Sequence, residues 1–329
     1  MAQKIITVIL ALAVIGGLAW YFNKTYLQPS ESHSTEKVPQ FKTSSTDENF
    51  KGKLIYATTG ATKEIWAIDA KKESKKLFTD SDEAEKILEI SNLASISNEI
   101  LVITSTETSS SSGKLVAINL SSSKETVLQK PFSLPPAWTV SLDGQKIAYT
   151  RFSNIEENYG FTLYSSDRSG TNLRELIRSD QEIKVPVWNE NATKIAFVKN
   201  VGSKSQLNVV DVNSLKEKEV KSFEGQIIDS LSFSGDKLVF SVRDLSNKSS
   251  GTIKIIGSNG QNLEKMADFE GGVANFVYME NSSWLGFLIA QYKDKINSST
   301  TGQIYIENLK KLEKIPLAKG SQILGWQNE

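Results

Sequence analysis

Cysteine is absent from this chain of 329 residues, and histidine occurs once, at His33. Without cysteine there can be no disulfide, no thiol nucleophile, no cysteine-built zinc site and no lipid-modified N-terminal cysteine. It does not distinguish an oxidising from a reducing compartment. With a single histidine at position 33, residues 51–329 hold no Ser-His-Asp or Cys-His arrangement and no histidine-based metal chemistry. Thirty-eight basic and 38 acidic residues leave no formal net charge. Nothing forms the clustered basic surface that nucleic acid requires. No glycine-rich phosphate loop, dinucleotide fingerprint or calcium loop is present. No cofactor, metal or nucleic-acid partner is therefore expected. Asp143-Gly144 and Gly235-Asp236 resemble fragments of a calcium loop, but each falls where a tight turn between strands is expected.

One long run lacks charge, residues 5–22, in which Thr7 is the only clearly polar side chain. As a helix it would be about 27 Å long, close to the apolar thickness of a bilayer. Trp20 and Tyr21 stand where interfacial aromatics are found. A cleaved signal peptide has a shorter apolar core and a small-x-small site after it, and Asn23-Lys24-Thr25-Tyr26-Leu27-Gln28 offers none. The expectation is an uncleaved transmembrane signal anchor at 5–22, behind a cytoplasmic tail at 1–4. Lys4 and the α-amine give an N-in orientation, with the rest of the chain outside the cytoplasm. Residues 23–50 are rich in Ser, Thr and acidic side chains and poor in large apolar ones, which predicts a flexible linker.

From residue 51 onward the chain repeats. A branched aliphatic, a mostly small residue and usually an aromatic recur as Leu54-Ile55-Tyr56, Leu101-Val102-Ile103, Ile147-Ala148-Tyr149, Ile195-Ala196-Phe197, Leu238-Val239-Phe240 and Leu285-Gly286-Phe287. Their first residues are 47, 46, 48, 43 and 47 apart. Seven residues before each of the last five stand Ala94, Val140, Trp188, Leu231 and Tyr278, and Trp326 is a sixth copy with no triplet after it. A further strand follows each triplet and ends near Asp69, Asn119, Asp167, Asp211, Gly257 and Asn308, residues suited to turns. A fourth short strand comes next, as in Lys76-Leu77-Phe78. Each unit thus reads as four strands, a to d. One such sheet cannot bury both faces, whereas sheets stacked around an axis can. The pattern predicts an all-β, six-bladed β-propeller over 51–329. Because the chain enters on a strand b (Leu54) and leaves on a strand a (Trp326), its two ends should share one blade and close the ring.

Two fragments carry a resemblance. Val140-Ser141-Leu142-Asp143-Gly144-Gln145-Lys146-Ile147-Ala148-Tyr149, together with the strand from Leu163 through Asp167 to Gly170, resembles the TolB-type propeller repeat. That repeat runs Trp-Ser-Pro-Asp-Gly, then Ile-Ala-Phe, then a strand ending in Asp and a Gly-rich turn. Trp188 to Phe197 keeps the Trp and the Ile-Ala-Phe but has Asn-Glu-Asn in place of Ser-Pro-Asp. Propellers of this type resemble both periplasmic interaction proteins and the gating domains of some prolyl oligopeptidases. The resemblance implies the architecture and a bacterial source, and it leaves activity open.

In such a ring the b–c and d–a connections emerge on one face, around the central channel. The b–c segments here vary most: 104–113, 151–160, 243–251 and 291–302. Variable loops on a repeated scaffold are where recognition is expected. Arg151, Tyr159, Arg243 and Tyr292 are the candidate binding residues, since Arg and Tyr dominate binding hot spots. They could equally cover apolar edges at the loop bases. Trp138, Trp188 and Trp326 recur on strand a, which favours packing between blades over sugar stacking. No catalytic residue is identified. Three functions remain open: a non-catalytic scaffold for a protein or cell-envelope partner, a glycan or peptide receptor, and a carboxylate-dependent hydrolase or lyase using Glu156-Glu157.

Overall fold

A computed structural model describes residues 52–58, 63–69, 71–79, 86–106, 111–155, 158–246, 250–270, 272–279, 284–290, 302–309 and 313–327. The expected tail, anchor and linker lie outside these residues, as do Glu156, Glu157 and Tyr292. Among the described residues no helix is long and apolar enough to cross a membrane.

Twenty-four strands fall within the described residues and make six four-stranded antiparallel sheets. Blade 1 contains β1 (Lys53–Thr58), β2 (Glu64–Ile68) and β3 (Ser74–Thr79). Blade 2 is β4 (Lys86–Ala94), β5 (Glu99–Ser105), β6 (Ser112–Asn119) and β7 (Glu125–Ser133). Blade 3 is β8 (Trp138–Val140), β9 (Lys146–Ile155), β10 (Asn158–Asp167) and β11 (Arg174–Ser179). Blade 4 is β12 (Ile183–Trp188), β13 (Lys194–Val201), β14 (Lys204–Asp211) and β15 (Glu217–Glu224). Blade 5 is β16 (Gln226–Ser234), β17 (Lys237–Asp244), β18 (Ser250–Gly257) and β19 (Glu264–Glu270). Blade 6 is β20 (Gly272–Met279), β21 (Trp284–Ala290), β22 (Gly302–Asn308) and β23 (Glu313–Gly320). The final strand, β24 (Gln322–Gln327), returns to blade 1 and pairs antiparallel with β1, Trp326 opposite Leu54.

The core is divided among the junctions. Six apolar clusters are present among the described residues, and each joins two neighbouring blades. At the closure, Ile323 and Trp326 pack with Leu54 and Tyr56 on one side and with Ile304 and Ile306 of blade 6 on the other. Gly52 lets the chain enter here: its φ is +94°, and a Cβ would lie 2.4 Å from the Gln327 carbonyl. Trp188 is buried between blades 3 and 4, and Trp138 packs against the cluster between blades 2 and 3. Side-chain amides add links one repeat apart. Asn92 Oδ1 accepts from the Val140 amide at 2.8 Å, and Asn275 Oδ1 accepts from the Ile323 amide at 2.7 Å.

The register corrects the repeat in two places. Leu54, Ile147, Ile195, Leu238 and Leu285 stand at one step, opposite Ile68, Ser166, Val210, Ile256 and Glu307. In blade 2 that step belongs to Ile100, opposite Ile118, and not to Leu101. Ile100, Leu101, Val102 and Ile103 are all fully buried, so no polar residue marks the phase of β5, and a one-residue slip exchanges its faces. Leu93 rather than Ala94 then stands opposite Ile100. In blade 5, Ser234 pairs with Lys237 across the two-residue turn Gly235-Asp236. That shorter hairpin places Phe233, not Leu231, opposite Leu238.

Candidate functional site

The b–c end of blade 3 departs from that of blade 4. Residues 151–155 and 158–160 there are strand and not free loop. β9 and β10 continue their pairing to Ile155 and Asn158, carrying the sheet past the end of the blade 4 hairpin, where Val201 pairs with Lys204. Residues 158–161 (Asn-Tyr-Gly-Phe) alternate polar or small with aromatic side chains, and 152–155 (Phe-Ser-Asn-Ile) begin and end on β-favouring residues, a composition that sustains a ladder. Phe152 pairs with Phe161 across the strands with ring centroids 5.0 Å apart. Phe161 packs against the cluster between blades 3 and 4, but Phe152 stays 52% exposed and Tyr159 66% exposed. Alternation puts Phe152, Tyr159 and Phe161 on the side of the hairpin toward blade 4.

Arg151 lies on the opposite side, toward blade 2, and is exposed. Its guanidinium sits over the rings of Tyr149 and Tyr164, 5.2 and 5.6 Å from their centroids. Those rings are stacked at 5.8 Å, and Tyr149 meets Phe132 of blade 2 edge-on, also at 5.8 Å. Burial pushes the Tyr149 hydroxyl up, Arg151 opposes that shift, and Tyr164 adds to it.

Arg243 has a different situation. Its Nε donates to Asp229 Oδ2, and its Nη2 donates to Asp229 Oδ1 at 3.1 Å. Asp229 sits in the irregularity between Ile228 and Ser230 where β16 pairs with β17. The Arg243 side chain is only 10% exposed, so this fork ties strand a to strand b. Beside it, Gln226, Asp244, Thr252, Lys254 and Asp268 line an open depression of about 250 Å³. Lys199, four residues after Ile195 as Arg151 is after Ile147, lies 5.7 Å from the Phe197 ring and pairs with Glu217 at 2.6 Å.

Two carboxylates were not singled out from the sequence. Glu89 on β4 is held up by burial, and Lys63 opposes the shift. Glu307 on β22 is 4% exposed, its Oε2 has no hydrogen-bond partner, and Lys314 Nζ is 3.9 Å away. Burial pushes its carboxyl up, with Lys314 opposing. Its repeat equivalents are Ile68, Ile118, Ser166, Val210 and Ile256, so the burial was available from the repeat phase alone.

At the other end of the ring the turn residues hold backbone. Asp211 Oδ1 accepts from the amides of Asn213 and Ser214 at 3.0 and 2.8 Å. Asn189 Oδ1 accepts from those of Thr193 and Lys194 at 2.9 and 2.8 Å. Asp143 accepts from the Gln145 amide at 3.0 Å and the Ser141 hydroxyl at 2.5 Å. Burial works to raise the Asp143 carboxyl, but these bonds and Lys146 outweigh it and the net shift is downward. Among the described residues no group of His, Asp and Glu side chains is arranged to hold a metal.

No protein-family model matches the chain. Over 80 residues it is 29% identical to the Tol-Pal system protein TolB of Thioalkalivibrio sulfidiphilus, covering 24% of this chain and 18% of that protein. Over 83 residues it is 36% identical to the Tol-Pal system protein TolB of Haemophilus influenzae, covering 24% of this chain and 18% of that protein. The chain thus aligns with less than a fifth of the length of these relatives. Among solved structures, TolB from Acinetobacter baumannii superposes with a TM-score of 0.58 at 14% identity, covering 83% of this chain and 67% of that one. An oligogalacturonate lyase in complex with manganese superposes with a TM-score of 0.55 at 12% identity, covering 82% and 74%. At such identities these superpositions speak for fold alone. The chain is a six-bladed β-propeller similar in sequence, over about a quarter of its length, to the Tol-Pal system protein TolB.

Proposed function

We propose that this chain is a membrane-tethered, non-catalytic propeller outside the cytoplasm, and that it binds a protein of the cell envelope. The observation that carries the reading is the blade 3 hairpin. It lifts Phe152 and Tyr159 into solvent on one side and exposes Arg151 on the other, on a scaffold with sequence similarity to a Tol-Pal system protein. Large aromatics and an arginine at a projecting edge are the side chains that dominate protein interfaces. Uncharged residues 5–22 would supply the anchor, and residues 23–50 the tether.

Proximity labelling from the propeller in its native membrane tests location and partner together. Extracytoplasmic envelope proteins should be labelled, and a Phe152→Ala, Tyr159→Ala double variant should lose the dominant one. Labelling of cytoplasmic proteins, or a profile unchanged by the double variant, would refute the reading.

A further inference from the structure

We propose that Arg151 is a carboxylate-recognition point at the b–c end of blade 3, and that its ligand is an acidic segment of a polypeptide partner. This rests on the protein-binding reading above and adds the chemistry of the partner to it.

The repeat supplies the comparison. Three cations leave strands b at this end: Arg151 from β9, Lys199 from β13 and Arg243 from β17. Lys199 and Arg151 occupy the same repeat step, and each lies over the aromatic ring two residues before it. Lys199 is neutralised by Glu217, and Arg243 by Asp229. Arg151 makes no ion pair with any described carboxylate, and its interactions are with the two tyrosine rings. Arg168 and Arg178 are also paired, with Glu99 and Glu175. Among the described residues at this face, then, two of these cations are neutralised from within, and the third is exposed with no acidic partner.

The geometry suits a carboxylate. A guanidinium placed over aromatic rings and not engaged by an acidic side chain retains N–H groups that match a carboxylate with two parallel hydrogen bonds. The stacked Tyr149 and Tyr164 restrict Arg151 before any ligand arrives, which lowers the ordering cost of binding. A polypeptide is favoured over a small free acid because the adjoining features project. Phe152 and Tyr159 stand exposed on the other side of the same hairpin, so a partner that engages them together with Arg151 must span the hairpin. An extended chain with acidic and apolar side chains can do so.

The test presents a displayed library of random twelve-residue peptides to the full chain in detergent, as wild type, Arg151→Gln, Arg151→Lys and Tyr159→Ala. Peptides recovered by the wild type should be enriched in Asp and Glu. Their affinity should fall about tenfold or more with Arg151→Gln and recover in part with Arg151→Lys. Methyl-esterified copies of the same peptides should lose a similar factor against the wild type, a readout that does not depend on how any variant folds. Recovered peptides without acidic enrichment, or equal binding of the esters, would overturn the proposal. If such peptides still depended on Tyr159, the protein-binding reading would stand and only the carboxylate assignment would fail. If none depended on Arg151 or Tyr159, both would fail.

Discussion

Blades 3 and 4 are neighbours with the same strand order, and the difference that bears on function lies at one end. At the a–b and c–d end both are tied by turn side chains: Asp143 and Asp167 in blade 3, Asn189 and Asp211 in blade 4. At the b–c end, blade 4 stops at a short hairpin and pairs Lys199 with Glu217. Blade 3 runs on, exposes Phe152 and Tyr159, and leaves Arg151 without an acidic partner among the described residues. The end that repeats has its polar groups engaged in holding the fold. The departing end of blade 3 exposes Phe152, Tyr159 and Arg151, and side chains exposed on a departing loop are where a partner is expected.

The comparison breaks if changes at the repeating positions leave the fold intact, or if changes at the departing end damage it. The largest effect is expected from deleting residues 322–329. This removes β24 and with it buried Ile323, Leu324 and Trp326. Each such side chain is worth about 1.5–3 kcal/mol, so the loss is on the order of 5 kcal/mol or more, comparable to the whole stability of a domain. The truncated chain should show no cooperative melt near that of the full chain in calorimetry.

A gain of about 1 kcal/mol or more is expected from Glu307→Leu at neutral pH, because an aliphatic group replaces a poorly paired buried carboxylate. Burial raises the Glu307 carboxyl, so the folded state holds its proton to higher pH than the unfolded chain. Its destabilisation is therefore fully present above the raised folded value and fades as pH falls toward the ordinary carboxylate value. Urea melts at several pH values should show the advantage of Glu307→Leu shrinking as pH falls through that window.

Asp143→Ala should cost about 0.5–1 kcal/mol through lost turn hydrogen bonds. The Asp143 carboxyl is shifted down, so its contribution is present above its ordinary value and is lost as pH falls through the lower folded one. In the same urea series, the difference between Asp143→Ala and wild type should close only at strongly acidic pH. Arg151→Gln should change stability least, by less than about 0.5 kcal/mol, since an exposed stack is all it gives up. A loss of several kcal/mol there would mean that Arg151 serves the fold.

The six blades and their closure were legible because a period near 46 residues survives local variation, and because its phase shows which strand begins and which ends the chain. Register was less legible. β5 is apolar on both faces, so Ile100 and Leu101 compete for one step, and the tight Gly235-Asp236 turn moves Phe233 into the place expected of Leu231. The candidate site was legible as a set of positions and illegible as chemistry. Arg151 and Arg243 look alike in the sequence. Only the fold shows that Asp229, on the neighbouring strand, engages one of them and that Tyr149 and Tyr164 support the other. The aromatic alternation of 158–161, with Phe152 and Ile155 before it, could have announced a hairpin in place of a loop.

Crosslinking from the two ends of the ring in intact cells addresses the division between them most directly. A photoreactive phenylalanine analogue is placed at Tyr159 on the blade 3 hairpin or at Leu215 on a c–d turn, both exposed. A discrete protein adduct from position 159, absent from position 215 and diminished by Arg151→Gln, is the expected result. Equal adducts from both positions, or an adduct from 215 alone, would contradict the assignment of function to the departing end.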